Sequence, residues 1–314
     1  MPMNRRSFMA RGATLAAASL AGARALELLA QPARGGCSGP APAVQLYTVR
    51  DALERDARAA LRALREIGIV EGELYGLNGP ESATLFGLPA PRLKRALDDA
   101  GIRVPMAHVG GNLDNTTAIA EIARALGVTA VCVALPGEFS GTVDGRFAMV
   151  PAKSREQLDA LVEKLNRVGR EYRDRGLTFG YHNHHIEFVP VDGLVPYDYL
   201  MGNTDPALVK IELDVGWLVA AGVDPVTYLH HHAGRVIACH LKDYDATIAT
   251  DVPQRKLVPP GAGTIDFAAV LAAMNDTGVR HGFIEVDVSD DPLGDVRRGH
   301  AHLEMLKGCA QRAR

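Results

Sequence analysis

An α/β fold of the (β/α)8, or TIM-barrel, type is predicted for residues 41–314, and three features of the chain predict it. Short β-branched or apolar runs alternate with helical stretches eight times, the count of a closed barrel. Each run is near-continuously apolar, as a strand covered on both faces must be. Several helical stretches close on a glycine just before the next run, at Gly68, Gly101, Gly127, Gly176 and Gly278, where the left-handed C-cap conformation favours that residue. A doubly wound open sheet would usually have fewer units and a glycine-rich phosphate turn after its first strand; here that strand ends Tyr47-Thr48-Val49-Arg50.

The first strand is placed at 44–49, followed by a helix over 52–67. Leu53, Ala57, Ala60, Leu61, Leu64 and Ile67 of that helix form one apolar stripe at helical spacing. Strands follow at 71–77, 104–109 and 130–135. A second long helix over 154–173 repeats the pattern with Leu158, Leu161, Val162, Leu165 and Val168. The last four strands are placed at 178–184, 209–215, 236–241 and 282–287.

Residues 1–40 stand apart. Arg5-Arg6-Ser7-Phe8 precedes a modest Ala/Leu-rich stretch, no acidic residue occurs before Glu27, and Ala23-Arg24-Ala25 offers a small-x-small cleavage site. This segment resembles a twin-arginine export signal. It implies passage through the twin-arginine (Tat) machinery to the periplasm and a mature chain beginning between residues 26 and 40. Arg11 and Arg24 interrupt the run, against a membrane-spanning anchor. An apolar fraction of 47% with 23% charged residues is that of a folded globular chain. With 34 basic against 37 acidic residues the net charge is −3, which supplies no general field for nucleic acid. The four cysteines show no CxxC spacing, so neither a zinc ribbon nor a disulfide scaffold is indicated.

In barrels of this kind chemistry gathers at the C-terminal strand ends. Those ends carry Gln45 and Arg50, Glu73, His108, the run Tyr181-His182-Asn183-His184-His185 with Glu187, Glu212 and Asp214, His240 with Lys242 and Asp243, and Glu285 with Asp287. Strands 5 to 8 thus each contribute an imidazole or carboxylate: His182, Asp214, His240 and Glu285. Neighbouring strands lie ~4.8 Å apart, so these four can share one divalent ion. A mixed nitrogen and oxygen set suits Mn²⁺, Co²⁺ or Zn²⁺ rather than Ca²⁺. Such an ion can bind adjacent oxygens of a sugar and stabilise an enediolate. Glu212 shares a face with Asp214 and reads as a deeper barrel residue or as a partner behind a ligand. Asp243 and Asp287 suit supporting or loop-capping roles. His230, His231 and His232 fall on a helical stretch away from the strand ends and read as solvated helix surface.

Several segments together resemble the xylose isomerase-like barrel superfamily, in its sugar phosphate isomerase/epimerase branch. They are Tyr181-His182-Asn183-His184-His185-Ile186-Glu187-Phe188, Leu213-Asp214-Val215-Gly216-Trp217, His240-Leu241-Lys242-Asp243, Gly261-Ala262-Gly263-Thr264-Ile265-Asp266-Phe267 and Ile284-Glu285-Val286-Asp287, with Val44 to Asp51 near the start. The resemblance covers residues 43 to about 307. It implies a divalent metal held from strands 5 to 8 and an acid/base pair working across the carbons of a small-molecule carbohydrate. The better-known epimerases of the superfamily use Glu on both strand 5 and strand 8; here strand 5 offers His182. Glu285, His182, Glu187 and Lys242 are therefore the expected catalytic groups, and Glu73, His108 and His184 the expected substrate contacts. Lys242 can equally pair with Asp243.

The main expectation is a metal-dependent isomerase or epimerase. Its alternatives are a lyase or hydrolase that cleaves 3-keto-glycosides by β-elimination, and a sugar-binding barrel without turnover. A nuclease of the endonuclease IV kind shares this barrel but needs a richer ligand set and a positive groove. Self-association is compatible with all of these.

Overall fold

The computed structural model describes residues 40–41, 43–111 and 113–312, with side chains through Lys307. The export signal expected in residues 1–40 lies, but for Pro40, outside the described residues. Eight parallel strands close a barrel in which each strand pairs with its neighbours in the chain: β1 (Ala43–Gln45), β2 (Glu71–Leu77), β3 (Arg103–Val109), β4 (Ala130–Val133), β5 (Thr178–His182), β6 (Lys210–Asp214), β7 (Val236–Leu241) and β8 (His281–Ile284). The predicted fold is the observed one.

The helices return each strand to the next. They are α1 (Arg50–Ile67), α2 (Ala90–Ala100), α3 (Thr116–Leu126), α4 (Arg155–Asp174), α5 (Pro196–Asn203), α6 (Val215–Ala220), α7 (Pro225–His231), α8 (Phe267–Thr277) and α9 (Pro292–Arg312). Gly68, Gly101, Gly127 and Gly278 end α1, α2, α3 and α8 in the left-handed conformation. The predicted stripes face inward: Leu53, Leu61 and Leu64 of α1 and Leu158, Leu161, Leu165 and Val168 of α4 are fully buried.

Five strands are shorter than predicted: β4, β5 and β6 lose one or two residues at their ends, and β1 and β8 lose more of theirs. β1 stops at Gln45, and Leu46–Val49 forms a 3-10 turn because the Gln45 side chain accepts the Tyr47 backbone N–H. β8 stops at Ile284, which sets Glu285 one residue beyond the sheet. The helix predicted as continuous over 52–67 breaks at Asp56 (φ −157°), whose carboxylate accepts the Ala59 N–H and so caps the second segment. Small hairpins decorate the loops that follow β2, β4 and β7: Thr84–Leu85 with Leu88–Pro89, Ser140–Val143 with Arg146–Met149, and Asp243–Tyr244 with Leu257–Val258.

The barrel interior is layered. Ala43, Met106, Ala130, Cys132, Ala238 and Phe283 form a buried apolar floor. Gly180 belongs to the same layer, since a Cβ there would lie 2.6 Å from Cys132 Sγ. Side chains alternate along a strand, so the residues two beyond Ala43, Met106, Gly180 and Ala238, namely Gln45, His108, His182 and His240, lie above this floor. There the polar groups begin.

Candidate active site at the barrel mouth

The layer directly above the floor holds Gln45, Glu73, His108, His182, Glu212 and His240. The register sets Gln45 beside Glu73 and Glu212 beside His182. Gln45 Nε2 donates to Glu73 Oε2 at 2.8 Å, and the same oxygen lies 2.6 Å from His240 Nε2. His108 Nε2 lies 2.6 Å from Glu212 Oε2 and 3.5 Å from Glu73 Oε2. His182 Nδ1 approaches Glu212 Oε2 at 3.3 Å, close but not aligned for a hydrogen bond. Two carboxylates thus stand behind two imidazoles, and His108 spans both.

The layer nearer solvent holds Asp214, Glu285, Lys242 and Asp287. His240 Nδ1, the nitrogen turned away from Glu73, meets Glu285 Oε2 at 2.6 Å and Asp214 Oδ2 at 3.9 Å. His182 Nε2 lies 3.6 Å from Asp214 Oδ2. Lys242 Nζ sits 3.0 Å from Asp214 Oδ2, 2.8 Å from Glu285 Oε2 and 3.0 Å from Asp287 Oδ2. Of the two roles open to Lys242, the pairing with Asp243 is absent: the Asp243 carboxylate accepts the backbone N–H groups of Tyr244, Gly261, Gly263 and Ile265, tying together the loop after β7.

Burial opposes charge at Glu73, His182, His184, Glu212, His240 and Glu285, and the neighbours decide the outcome. At Glu285 the Lys242 ammonium and the His240 ring outweigh burial and hold the carboxyl well below its usual range. For Glu212 it is His240 and His108 that do the same. At His240 the carboxylates of Glu212, Glu285 and Glu73 overcome burial and push the imidazole well up. Glu73 goes the other way, raised to about 7 by burial and then by Glu212. His182 is lowered to about 4 by burial and by His240. His184 is lowered well below the ordinary range by burial and by His182, and is uncharged at neutral pH.

Two overlapping sets of ligand-type groups lie here with their atoms within 4.8 Å of one another: Asp214, His240 and Glu285 in the upper layer, and His108, His182, Glu212 and His240 in the lower. The four predicted metal ligands therefore fall together, though across both sets. Their chemistry fits a divalent ion. Asp214 Oδ2 is buried with no aligned hydrogen bond, and each ligand imidazole turns its second nitrogen toward a carboxylate, the arrangement that orients metal-bound histidines.

The other predicted residues are placed as follows. Glu187 is fully buried; it accepts the Tyr181 hydroxyl on one oxygen and the His184 N–H on the other, both at 3.0 Å. It thereby braces the turn that carries His184. Glu73 is fully buried and His108 is 13% exposed, both in the lower layer beneath Asp214 and Glu285. His184 is nearer the rim, its side chain 13% exposed, with Trp217 beside it and its buried Nδ1 4.0 Å from Glu187 Oε1. Of the histidine run, His230 and His231 are exposed as expected, but His232 tucks against Tyr197 and Tyr228.

Sequence reasoning assigned no role to Gln45 or Asn183. Asn183 is buried and accepts the Asp214 N–H at 2.9 Å, fixing the end of β6 against β5. Asn183 lies one residue past β5, and the alternation that points His182 inward does not reveal its bond to the Asp214 backbone.

Fold and site together define a barrel enzyme that gathers histidine and carboxylate side chains from four consecutive strand ends. The chain belongs to the xylose isomerase-like TIM barrel family, which it matches over residues 61–307. It is 28% identical over 249 residues to an inosose dehydratase of Geobacillus thermodenitrificans, with 71% of this chain and 82% of the relative covered. Its backbone superposes on a sugar phosphate isomerase/epimerase from Parabacteroides distasonis with a TM-score of 0.69 at 22% identity, covering 85% of this chain and 98% of the other. An IOLI protein solved with a bound zinc atom gives a TM-score of 0.62 at 14% identity, covering 86% and 98%. The inosose dehydratase relative is an enzyme, and the two structures share the fold.

Proposed function

We propose that this protein removes a proton beside the ketone of a polyhydroxylated ring, an inosose or keto-sugar, and expels the β-oxygen substituent as water or an alcohol. The observation that carries the reading is that one carboxylate, Glu285, stands ready where an epimerase needs two. Strand 5 offers His182 in place of Glu, and both oxygens of Glu187 are already engaged. Epimerisation requires proton transfer on opposite faces of the carbon, whereas elimination can be served from one. The similarity to inosose dehydratases supports the same choice.

His182, Asp214, His240 and Glu285 would hold a divalent ion, with Glu212 behind His182 and Glu73 behind His240 as orienting carboxylates. Such an ion supplies Lewis acidity toward the ketone oxygen. Glu285, kept ionised by Lys242 and His240, takes the carbon-bound proton. The electron pair of that C–H bond forms the enolate, whose collapse breaks the β C–O bond. The proton on Glu285 then leaves with the departing oxygen, so the step balances without a second acid. Lys242 donates to the developing oxyanion, and neutral His184 at the rim stands beside the ring hydroxyls. An isomerase working from the same face uses the same first step and is the second reading, supported by the same Glu285 geometry. The Arg5-Arg6 segment adds export to the periplasm, testable by following a fusion of residues 1–40 to a reporter.

The experiment is incubation of the Mn²⁺-, Co²⁺- or Zn²⁺-loaded protein in D₂O with inososes, keto-sugars and 3-keto-glycosides, followed by NMR. Release of water or aglycone with formation of an enone supports elimination. Hydrogen exchange or carbonyl migration without release selects the isomerase. A loaded protein that does none of these on the whole panel sinks the proposal. Replacing Glu285 by Gln, assayed at saturating metal because a ligand is also lost, is expected to lower kcat on the order of 10³-fold with KM changed only a few-fold.

A further inference from the structure

Among the described residues Lys242 is the largest charged side chain enclosed, 1% exposed, and its ammonium is held by three carboxylates. Two of the oxygens it contacts, Asp214 Oδ2 and Glu285 Oε2, belong to residues proposed as metal ligands. The third partner, Asp287, is not a proposed ligand and is the more open of the three, its side chain 17% exposed against 0% and 6%. Trp217 closes one side, with Nζ 5.7 Å from its ring. The base of the Lys242 side chain packs on α6, where a Cβ at Gly216 would lie 2.7 Å from Lys242 Cβ.

We infer that Lys242 is a built-in cation competing with the divalent ion for Asp214 and Glu285, and that Asp287 is the anchor that retains its ammonium when the ion binds. The inference rests on the metal site proposed above. Its physics is direct. Two buried carboxylates and a part-buried third without a counter-charge repel one another and are costly to desolvate. Lys242 meets that cost in the metal-free chain and keeps the ligands in place. A divalent ion on the same oxygens must then share them with, or take them from, a positive neighbour, which weakens its binding. Asp287 offers the ammonium a carboxylate that is not shared. Released from Asp214 and Glu285 but held by Asp287, Lys242 remains beside the site as a donor.

The test is metal affinity, read by competition of Mn²⁺ and Zn²⁺ with a chromophoric chelator, together with the melting temperature of metal-free and metal-loaded protein. Lys242→Met is expected to bind metal at least tenfold more tightly than wild type, to melt lower when metal-free, and to gain more on loading. Asp287→Asn is expected to bind metal several-fold more weakly, because Lys242 loses its alternative partner. In a Lys242→Met background the Asp287→Asn effect should shrink, which a double-mutant cycle reads directly. If the metal-free Lys242→Met chain fails to fold, Lys242→Gln supplies the same comparison of affinities. Unchanged or weaker metal binding in both Lys242 variants overturns the inference and leaves the metal site standing. A wild-type chain that binds no metal overturns both.

Discussion

Asp243 serves the site without facing it. Fully buried, it gathers four backbone N–H groups from Tyr244, Gly261, Gly263 and Ile265, so the loop after β7 keeps its shape around one carboxylate. Bonds from a charged acceptor contribute ~1.5–3 kcal/mol each and do not add fully. Asp243→Ala is expected to cost on the order of 3 kcal/mol in urea unfolding and to open the amides of Gly261 and Gly263 to hydrogen exchange. Sequence reasoning saw Asp243 only as a loop cap or supporting group, because its partners lie up to 22 residues away and no periodicity links them. The candidate ligands were legible for the opposite reason: His182, Asp214, His240 and Glu285 each sit at or just past the end of a strand whose alternation is fixed. Glu73 and His108 share that alternation, and the alternation alone says nothing of depth. Their place in the layer below Asp214 and Glu285 follows from register between strands, which one sequence does not carry.

Element boundaries were less legible than element identities. All eight strands lie where short apolar runs predict them, yet β1, β4, β5, β6 and β8 end early, β1 because the Gln45 side chain takes the Tyr47 N–H and diverts the backbone. The break in α1 is likewise a matter of one residue, Asp56, whose carboxylate takes an amide that a straight helix would have used. In α4 the packing overrides propensity. Gly169 faces the segment before β6, and a Cβ there would lie 2.5 Å from the Leu208 carbonyl oxygen. Alanine improves an isolated helix by ~1 kcal/mol over glycine, but here the clash wins. Gly169→Ala is expected to destabilise the protein by about 1–3 kcal/mol, measured by denaturant unfolding; a stabilised variant would show that α4 can slide on its barrel.

Acid stability draws on imidazoles that folding encloses. His232 is lowered to about 4 by burial and by its neighbour His231, whereas an unfolded imidazole titrates near 6.5. Between those values the unfolded chain binds the extra proton, so stability is lost as pH falls through that window. Because the ring is partly solvated, its share is modest, roughly 2 °C in melting temperature between pH 7 and pH 4. His232→Gln should flatten the acid slope by that amount whatever its effect at neutral pH, and an unchanged slope would assign the loss to other groups. The apolar floor of Ala43, Met106, Ala130, Cys132, Ala238 and Phe283 has a different bearing. It makes the barrel a vessel with one door. A hydrogen lifted from substrate carbon has no exit underneath, so it either rides out on the departing product or trades places with solvent at the rim. In a tritium experiment the fraction of label recovered in the product, against that lost to water, would clock how long the door stays shut relative to the chemistry.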